Sequence, residues 1–408
     1  MTSRERILSS IAHQQPDQVP IDLGASTVTG TSAIGYNRLK QALGLEVPTR
    51  VFDVVQQLAF VDDPVIDAFG VDALDLNRVL MDDQGWYPVI LGDGSEGAYP
   101  LWFRPEESED GSFVMRDHTG RVMSRMARNG ACFDQTHFPW EQGYPDHFDS
   151  IGEAFRSISW TAHSHSKYIN IGDKELRERT KKLRESTDKA IVMSGGAKLL
   201  ELGFFLRRMD NMLMDLLADH ENLSRLLDEL TDLHLAGLEK KIAAVGDLVD
   251  VIRFGDDLGM TTGPFMDLDV FNRYFKPRYK QLCNYVKQHS QMKIFMHSCG
   301  SIRQFIPGLI EAGFDIINPV QTNCFGMDPR ELKQEFGREI TFWGGGVDTS
   351  SVLPSGSAEE VRKDVLERCE ILSKDGGFVF ASIHNILPEV PPENIVAAYE
   401  AVHEFNGR

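Results

Sequence analysis

Short, near-continuous apolar runs alternate with long amphipathic stretches along the chain. The clearest runs are AIVMSG (190–195), LVDVIRFGDD (248–257), KIFMHS (293–298), FDIINPV (314–320), EITFWGG (339–345) and GFVFAS (377–382). Two weaker ones come earlier, VPIDLG (19–24) and VDALDL (71–76). Runs without alternation are the mark of strands buried on both faces. Helix signals fill the gaps. Residues 204–244 carry apolar positions at helical spacing, and Ser301 opens a helix that Gly313 ends. Asp328-Pro329 opens another, with Glu331 in the capping position and Gly337 as the stop. Ser357 and Glu360 form a capping box. Strand–helix alternation predicts a parallel sheet with helices outside it. Eight candidate strands predict closure into a (β/α)8 barrel, an α/β TIM barrel, with an open doubly wound sheet as the alternative.

The pattern breaks between 85 and 135. LGDGSEGAYPLWF, EDGSF and RDHTGRVMSRM combine alternation with turn residues and predict hairpins. We read this region as an inserted β-meander after the second strand, followed by a helical segment near 150–187. The 408 residues then form a single barrel domain that carries the insertion.

Composition narrows the function classes. Hydrophobic residues make up 42% of the chain, enough for a sizeable core, and the formal net charge is -19. That charge argues against nucleic acid or an anionic membrane as partner. No apolar run reaches the length of a spanning helix. The first residues, MTSRERILSSIAHQQPDQ, lack the apolar stretch of a signal peptide. Cysteines at 132, 283, 299, 324 and 369 are odd in number and scattered, which is no disulfide framework. A cytoplasmic protein with reduced thiols is expected.

Barrel chemistry sits at the C-terminal ends of strands. Asp22 ends the first candidate strand, and Gly195 and Gly196 follow the third. Asp256 and Asp257 follow the fourth, and His297 and Cys299 the fifth. Asn318, Gln321 and Cys324 follow the sixth, Gly344 to Gly346 and Asp348 the seventh, and His384 and Asn385 the eighth. Alternate residues of an extended segment point the same way, so His297 and Cys299 can face one point. Imidazoles, thiols and a carboxylate at one rim suit zinc. Against this, a lone buried cysteine is usually a small hydrophobe, and His-x-Cys alone is a weak pattern. Its place at a strand end, before Gly300 and a helix start, sets the metal level with that plainer reading. Cys132, Cys283 and Cys369 are assigned to structure.

Asp256 and Asp257 are candidate catalytic groups, as hydrogen-bond partners of substrate, metal ligands or a base. The alternative is that Asp257 caps the following turn and Asp256 is solvated. Asn318, Gln321, Gly345 and Asn385 are candidate substrate contacts. The glycines of FWGGGVD let a ligand approach the backbone, but without the spacing of a nucleotide loop. Glu201 follows the third strand and carries no assignment alone.

With these residues in view, the chain resembles the uroporphyrinogen decarboxylase superfamily, and within it the zinc-dependent, corrinoid-linked methyltransferases. The stretches that carry the resemblance are SRERILSSIAHQQPDQVPIDLG, FGDDLG, FMHSCGS, EAGFDIINPVQ, FWGGGVDT and SIHNILPEVPPENI. It is clearest over 190–405 and weaker over 1–80. The resemblance implies a (β/α)8 barrel. The decarboxylases proper carry an Arg-rich N-terminal segment that grips the tetrapyrrole. Here Asp22 is followed by LGASTVTGTS, which argues against porphyrin decarboxylation. The methyltransferases bind zinc through a His-x-Cys pair, matched by His297 and Cys299, and a later cysteine. His384 stands at that later place. The implied metal site is therefore His297, Cys299 and His384, with Cys324 or Asp257 to complete the sphere, and one thiolate fewer than the family pattern.

The implied reaction moves a methyl group between a corrinoid (cobalamin) and a small-molecule substrate or thiol acceptor. The corrinoid is expected to arrive on a separate protein that docks over the barrel mouth. Two rivals stand beside this reading. One is a metal-free lyase or decarboxylase with Asp256 or Asp257 and His384 moving a proton. The other is a non-catalytic ligand-binding barrel.

Overall fold

Seven parallel strands pair in the order Ala73–Asp75, Ala190–Gly196, Val251–Gly255, Lys293–His297, Ile316–Asn318, Thr341–Trp343 and Phe378–Val379. The gap between the last and the first is closed by residues 20–22. Ile21 bridges Phe380 in parallel, Asp22 N–H donates to the Phe380 carbonyl at 2.8 Å, and Asp72 N–H donates to the Ile21 carbonyl at 2.7 Å. This single rung is what the VPIDLG run becomes, and with it the barrel has eight staves. The computed structural model describes residues 1–83, 85–128, 130–158 and 171–407.

Strand residues alternate between two apolar clusters. Val192, Val251, Phe295, Ile316, Trp343 and Val379 point inward and fill the barrel. Ile191, Ile252, Phe254, Ile294, Met296, Ile317 and Phe342 point outward against the helices. The interior is therefore a packed core, as expected of this architecture. Phe295 and Trp343 meet edge-on at 5.5 Å between ring centroids. The indole N–H of Trp343 donates to Asp22 Oδ2 at 2.7 Å, and burial pushes the Asp22 carboxyl up to about 6. Continuing the inward set upward, the next residue is polar on four of the six strands: Ser194, Arg253, His297 and Asn318. That layer is the floor of the site.

The long helical stretch is three helices, Leu200–Arg207, Met209–Ala218 and His220–Val245. The first break falls at Arg208, whose φ is +69°. At the second, Asp219 caps the amide of Asn222. Asp328 and the Ser357–Glu360 box cap helices Pro329–Phe336 and Ala358–Leu372. Gly313, at φ +109°, ends helix Ile306–Ala312. Ser301 does not start that helix. Its hydroxyl donates to the Phe325 carbonyl at 2.6 Å, and a 3₁₀ turn at Arg303–Phe305 leads in.

Between the second and third barrel strands the chain forms two antiparallel sheets. One is the hairpin Trp86–Ile90 with Glu96–Pro100. The other runs in sequence order through Glu106–Glu107, Phe113–Arg116, Val122–Met126 and Asp134–Gln135. Helices Ile151–Ser157 and Asp173–Ser186 follow. Residues 159–170 of the helical segment expected there lie outside the described residues. Among the described residues no helix is long and apolar enough to cross a membrane.

Candidate metal centre and cavity

A cavity of about 380 Å³ opens at the C-terminal ends of the strands. Val28, Val55, Leu80, Leu176 and Phe205 give it apolar walls, and His297, His384, Asp257 and Arg253 are among its polar lining. The size suits a small molecule.

His297 is the last residue of its strand and pairs in register with Gly255 and Asn318. Its Nδ1 lies 2.6 Å from Asn318 Oδ1, while the Asn318 amide nitrogen donates to the Trp343 carbonyl at 2.8 Å. That second bond fixes which end of the amide faces the ring, so Nδ1 carries the proton and Nε2 presents a lone pair. Burial, reinforced by His384, holds the His297 pKa well below the usual histidine value. The imidazole is neutral, as a metal ligand must be.

Cys299 Sγ lies 3.5 Å from His297 Nε2, and the Cys299 amide donates to Asp257 Oδ1 at 2.9 Å. Gly300 follows at φ +89°, where a Cβ would sit 2.3 Å from the Gly259 carbonyl carbon. Only glycine makes this turn. The His384 ring is 5.5 Å from that of His297 between centroids. One donor atom from each of His297, Cys299 and His384 lies within 4.8 Å of the other two. Tetrahedral zinc with its ordinary bond lengths places nitrogen and sulfur about 3.6 Å apart. The residues therefore fit zinc. Burial, and then the Asp257 charge, push the Cys299 thiol well above its usual pKa. Such a thiol gives up its proton readily only beside a compensating cation.

The other expected residues separate into facing and supporting groups. Asp257 lines the cavity, with Oδ1 3.7 Å from His297 Nε2. Asp256 does not. It is fully buried and accepts from the amides of Leu199, Leu200 and Glu201 at 2.7–2.8 Å and from the Tyr279 hydroxyl at 2.5 Å. Burial and Glu201 push its carboxyl up to about 7. It anchors the start of helix Leu200–Arg207, is not solvated, and is absent from the cavity lining. Nor does Asp257 cap a turn in the way the alternative expected.

Four expected substrate contacts are occupied within the protein. Asn318 is spent on His297 and Trp343. Gln321 Oε1 accepts the Gly300 amide at 2.8 Å and steadies the turn after Cys299. Asn385 accepts the Gly30 amide at 2.8 Å and donates to the Thr27 carbonyl at 3.0 Å. Gly345, at φ +81°, is packed so that a Cβ would meet Val320 at 2.8 Å. Cys324 lies in the outer apolar cluster and outside the three-residue donor group. Cys283 and Cys369 are buried, but Cys132, assigned to structure, is exposed.

Some polar residues of the cavity had no assignment from sequence. Lys198 pairs with Glu201 at 2.7 Å, and Glu201 Oε2 is buried without a partner among the described residues. Arg253 and Lys241 also line the space. A charged residue at an inward position of an apolar run, as in VIRFG, was the available signal for Arg253.

Fold and site together define a (β/α)8 barrel with a nitrogen–sulfur donor cluster at its C-terminal rim. Residues 190–405, more than half of the chain, match the uroporphyrinogen decarboxylase (URO-D) family model, and the chain belongs to that family. It is 26% identical over 184 residues to a uroporphyrinogen decarboxylase of Methylococcus capsulatus, covering 44% of this chain and 48% of that one. The chain thus spans about half the length of the curated relative it matches. Among solved structures, a methyltransferase from Methanosarcina mazei shares the fold over 99% of both chains, with a TM-score of 0.59 and 18% identity.

Proposed function

We propose that the protein is a zinc-dependent methyltransferase that moves a methyl group between a corrinoid carried by a partner protein and a small-molecule substrate or thiol acceptor. The observation that carries this reading is the convergence of His297, Cys299 and His384 on one point, within 4.8 Å of one another, at a cavity. His297, Cys299 and His384 would hold the zinc, which would supply Lewis acidity towards a thiol or a methyl-bearing heteroatom.

The chain's own residues set up that chemistry. Asn318 aims the His297 lone pair into the site. Asp257 holds the Cys299 backbone and, as a carboxylate beside the triad, is placed to take a proton from a bound thiol. The apolar walls exclude water from the reacting atoms. One thiolate and two neutral imidazoles offset less positive charge than two thiolates, which favours activation of a weakly acidic partner.

Purified protein reconstituted with zinc is expected to hold about one ion per chain and to demethylate methylcobalamin in the presence of a thiol, followed by absorbance. A protein that stays metal-free, or a transfer rate indifferent to chelator, rules this reading out. A metal-free lyase with Asp257 and His384 as proton carriers is the second reading, supported by the Asp257 carboxylate in the cavity. It retains full activity in chelator. Asn318→Ala should weaken zinc binding about 10- to 100-fold, because His297 loses the acceptor that orients it. Wild-type zinc affinity in that variant would deny Asn318 this role.

A further inference from the structure

Three cations line the cavity, and two of them, Arg253 and Lys241, are used neither by the metal site nor in an ion pair among the described residues. Arg253 takes an inward position of the fourth barrel strand, above the apolar interior, and is only 8% exposed. Among the described residues its one hydrogen bond runs from Nη2 to Ser194 Oγ, at a long 3.3 Å. Lys241, from helix His220–Val245, sends its ammonium to the carbonyl of the same Ser194 at 2.9 Å. Neither cation has a carboxylate within ion-pair distance among the described residues. Burial, and then the Arg253 charge, lower the Lys241 pKa to about 8, so the two cations feel each other.

The carboxylates that contribute to the field at Arg253 are those of Asp75, Glu201, Asp53 and Asp257. Each has other work. Glu201 pairs with Lys198. Asp53 accepts the Val55 and Gln56 amides at 3.0 and 3.1 Å. Asp75 accepts the Asn77 amide at 2.8 Å, and Asp257 accepts that of Cys299. A guanidinium offers five N–H donors in a planar fork suited to carboxylate. Burying it with one weak bond is costly unless a ligand completes it.

The distance to the triad is short. A Cβ on Gly255 would lie 3.4 Å from Arg253 Nη1 and 3.7 Å from His297 Cβ. The missing side chain leaves an open lane between guanidinium and imidazole.

We propose that Arg253, backed by Lys241, receives a carboxylate on the substrate, and that the substrate class is a small, largely apolar carboxylic acid. Its acid end sits on Arg253 and its body lies along the apolar walls. The assignment of a methyl-bearing heteroatom to the other end rests on the methyl-transfer reading; the carboxylate site does not.

The test is calorimetric titration with 4-methoxybenzoate and its uncharged counterpart 4-methoxybenzamide, on zinc-loaded and zinc-stripped protein. The acid should bind at least about tenfold more tightly than the amide in both forms. Arg253→Gln should cost the acid about 10- to 100-fold in affinity, with the amide's affinity and the zinc content unchanged. Lys241→Gln should cost the acid a smaller factor, and it decides the matter if Arg253→Gln does not fold. Equal affinities for acid and amide, no heat from either up to about 10 mM, or undiminished acid binding in the variants would overturn the proposal. So would a preference that vanishes on stripping, because the carboxylate would then be sitting on the metal. A protein without zinc or methyl transfer that still prefers the acid separates failure of the functional reading from failure of this one.

Discussion

Cys299→Ala is expected to bind zinc about 100-fold or more weakly than wild type and to lose measurable methyl transfer. Structural zinc sites with four protein ligands are worth roughly 10–16 kcal/mol in all, or about 3 kcal/mol per ligand, which is about two orders of magnitude in affinity. The sulfur also supplies the site's one ligand charge, so the loss should sit at the upper end. Folding should survive. The Cys299 amide keeps its bond to Asp257, and the side chain is not part of either apolar cluster. Competition against a chromophoric chelator reads the affinity, and circular dichroism the fold. A Cys299→Ala protein with wild-type zinc affinity would remove the sulfur from the site and with it the proposed chemistry.

Asp256→Ala should lose about 3–5 kcal/mol of stability, read as a shifted urea midpoint at unchanged slope. Three backbone amides and a tyrosine hydroxyl converge on that fully buried carboxylate. Removing the acceptor leaves buried donors unsatisfied, each costing about 1–3 kcal/mol before relaxation. Asp257→Ala should cost about 1 kcal/mol, since its side chain is 36% exposed and solvent can reach the Cys299 amide. A small loss at Asp256, or equal losses at both, would contradict the division of labour drawn between the two neighbours.

That division was within reach of the sequence. Along the fourth strand the inward residues are Val251, Arg253 and Gly255, and the same parity continues to Asp257. Ile252 and Phe254 point outward, and Asp256 falls with them. Alternation alone therefore separates the two acids and singles out Arg253. It also brings His297 and Cys299 to one side. The strands themselves were legible because both faces are buried and the apolar runs are unbroken.

Loops carry no such period. Asn385 and Gln321 find partners at Thr27, Gly30 and Gly300, and nothing local in the chain announces those meetings. His384 was placed at the rim by its position after the eighth strand, and in the metal site by resemblance. The brevity of the first strand was equally hidden, since Asp72 uses a side-chain oxygen to take the Ile21 amide at 2.9 Å.

The Asn318 amide touches an imidazole on one neighbouring strand and a carbonyl on the other, joining three staves through one side chain. A barrel zipped up one residue out of step at that strand would turn His297 and Cys299 together towards the helices and leave His384 facing the cavity alone. Ion retention would then report correct assembly as well as catalytic readiness. Mispaired chains would emerge from biosynthesis unable to keep a metal, and a simple dialysis would tell them from their properly closed siblings.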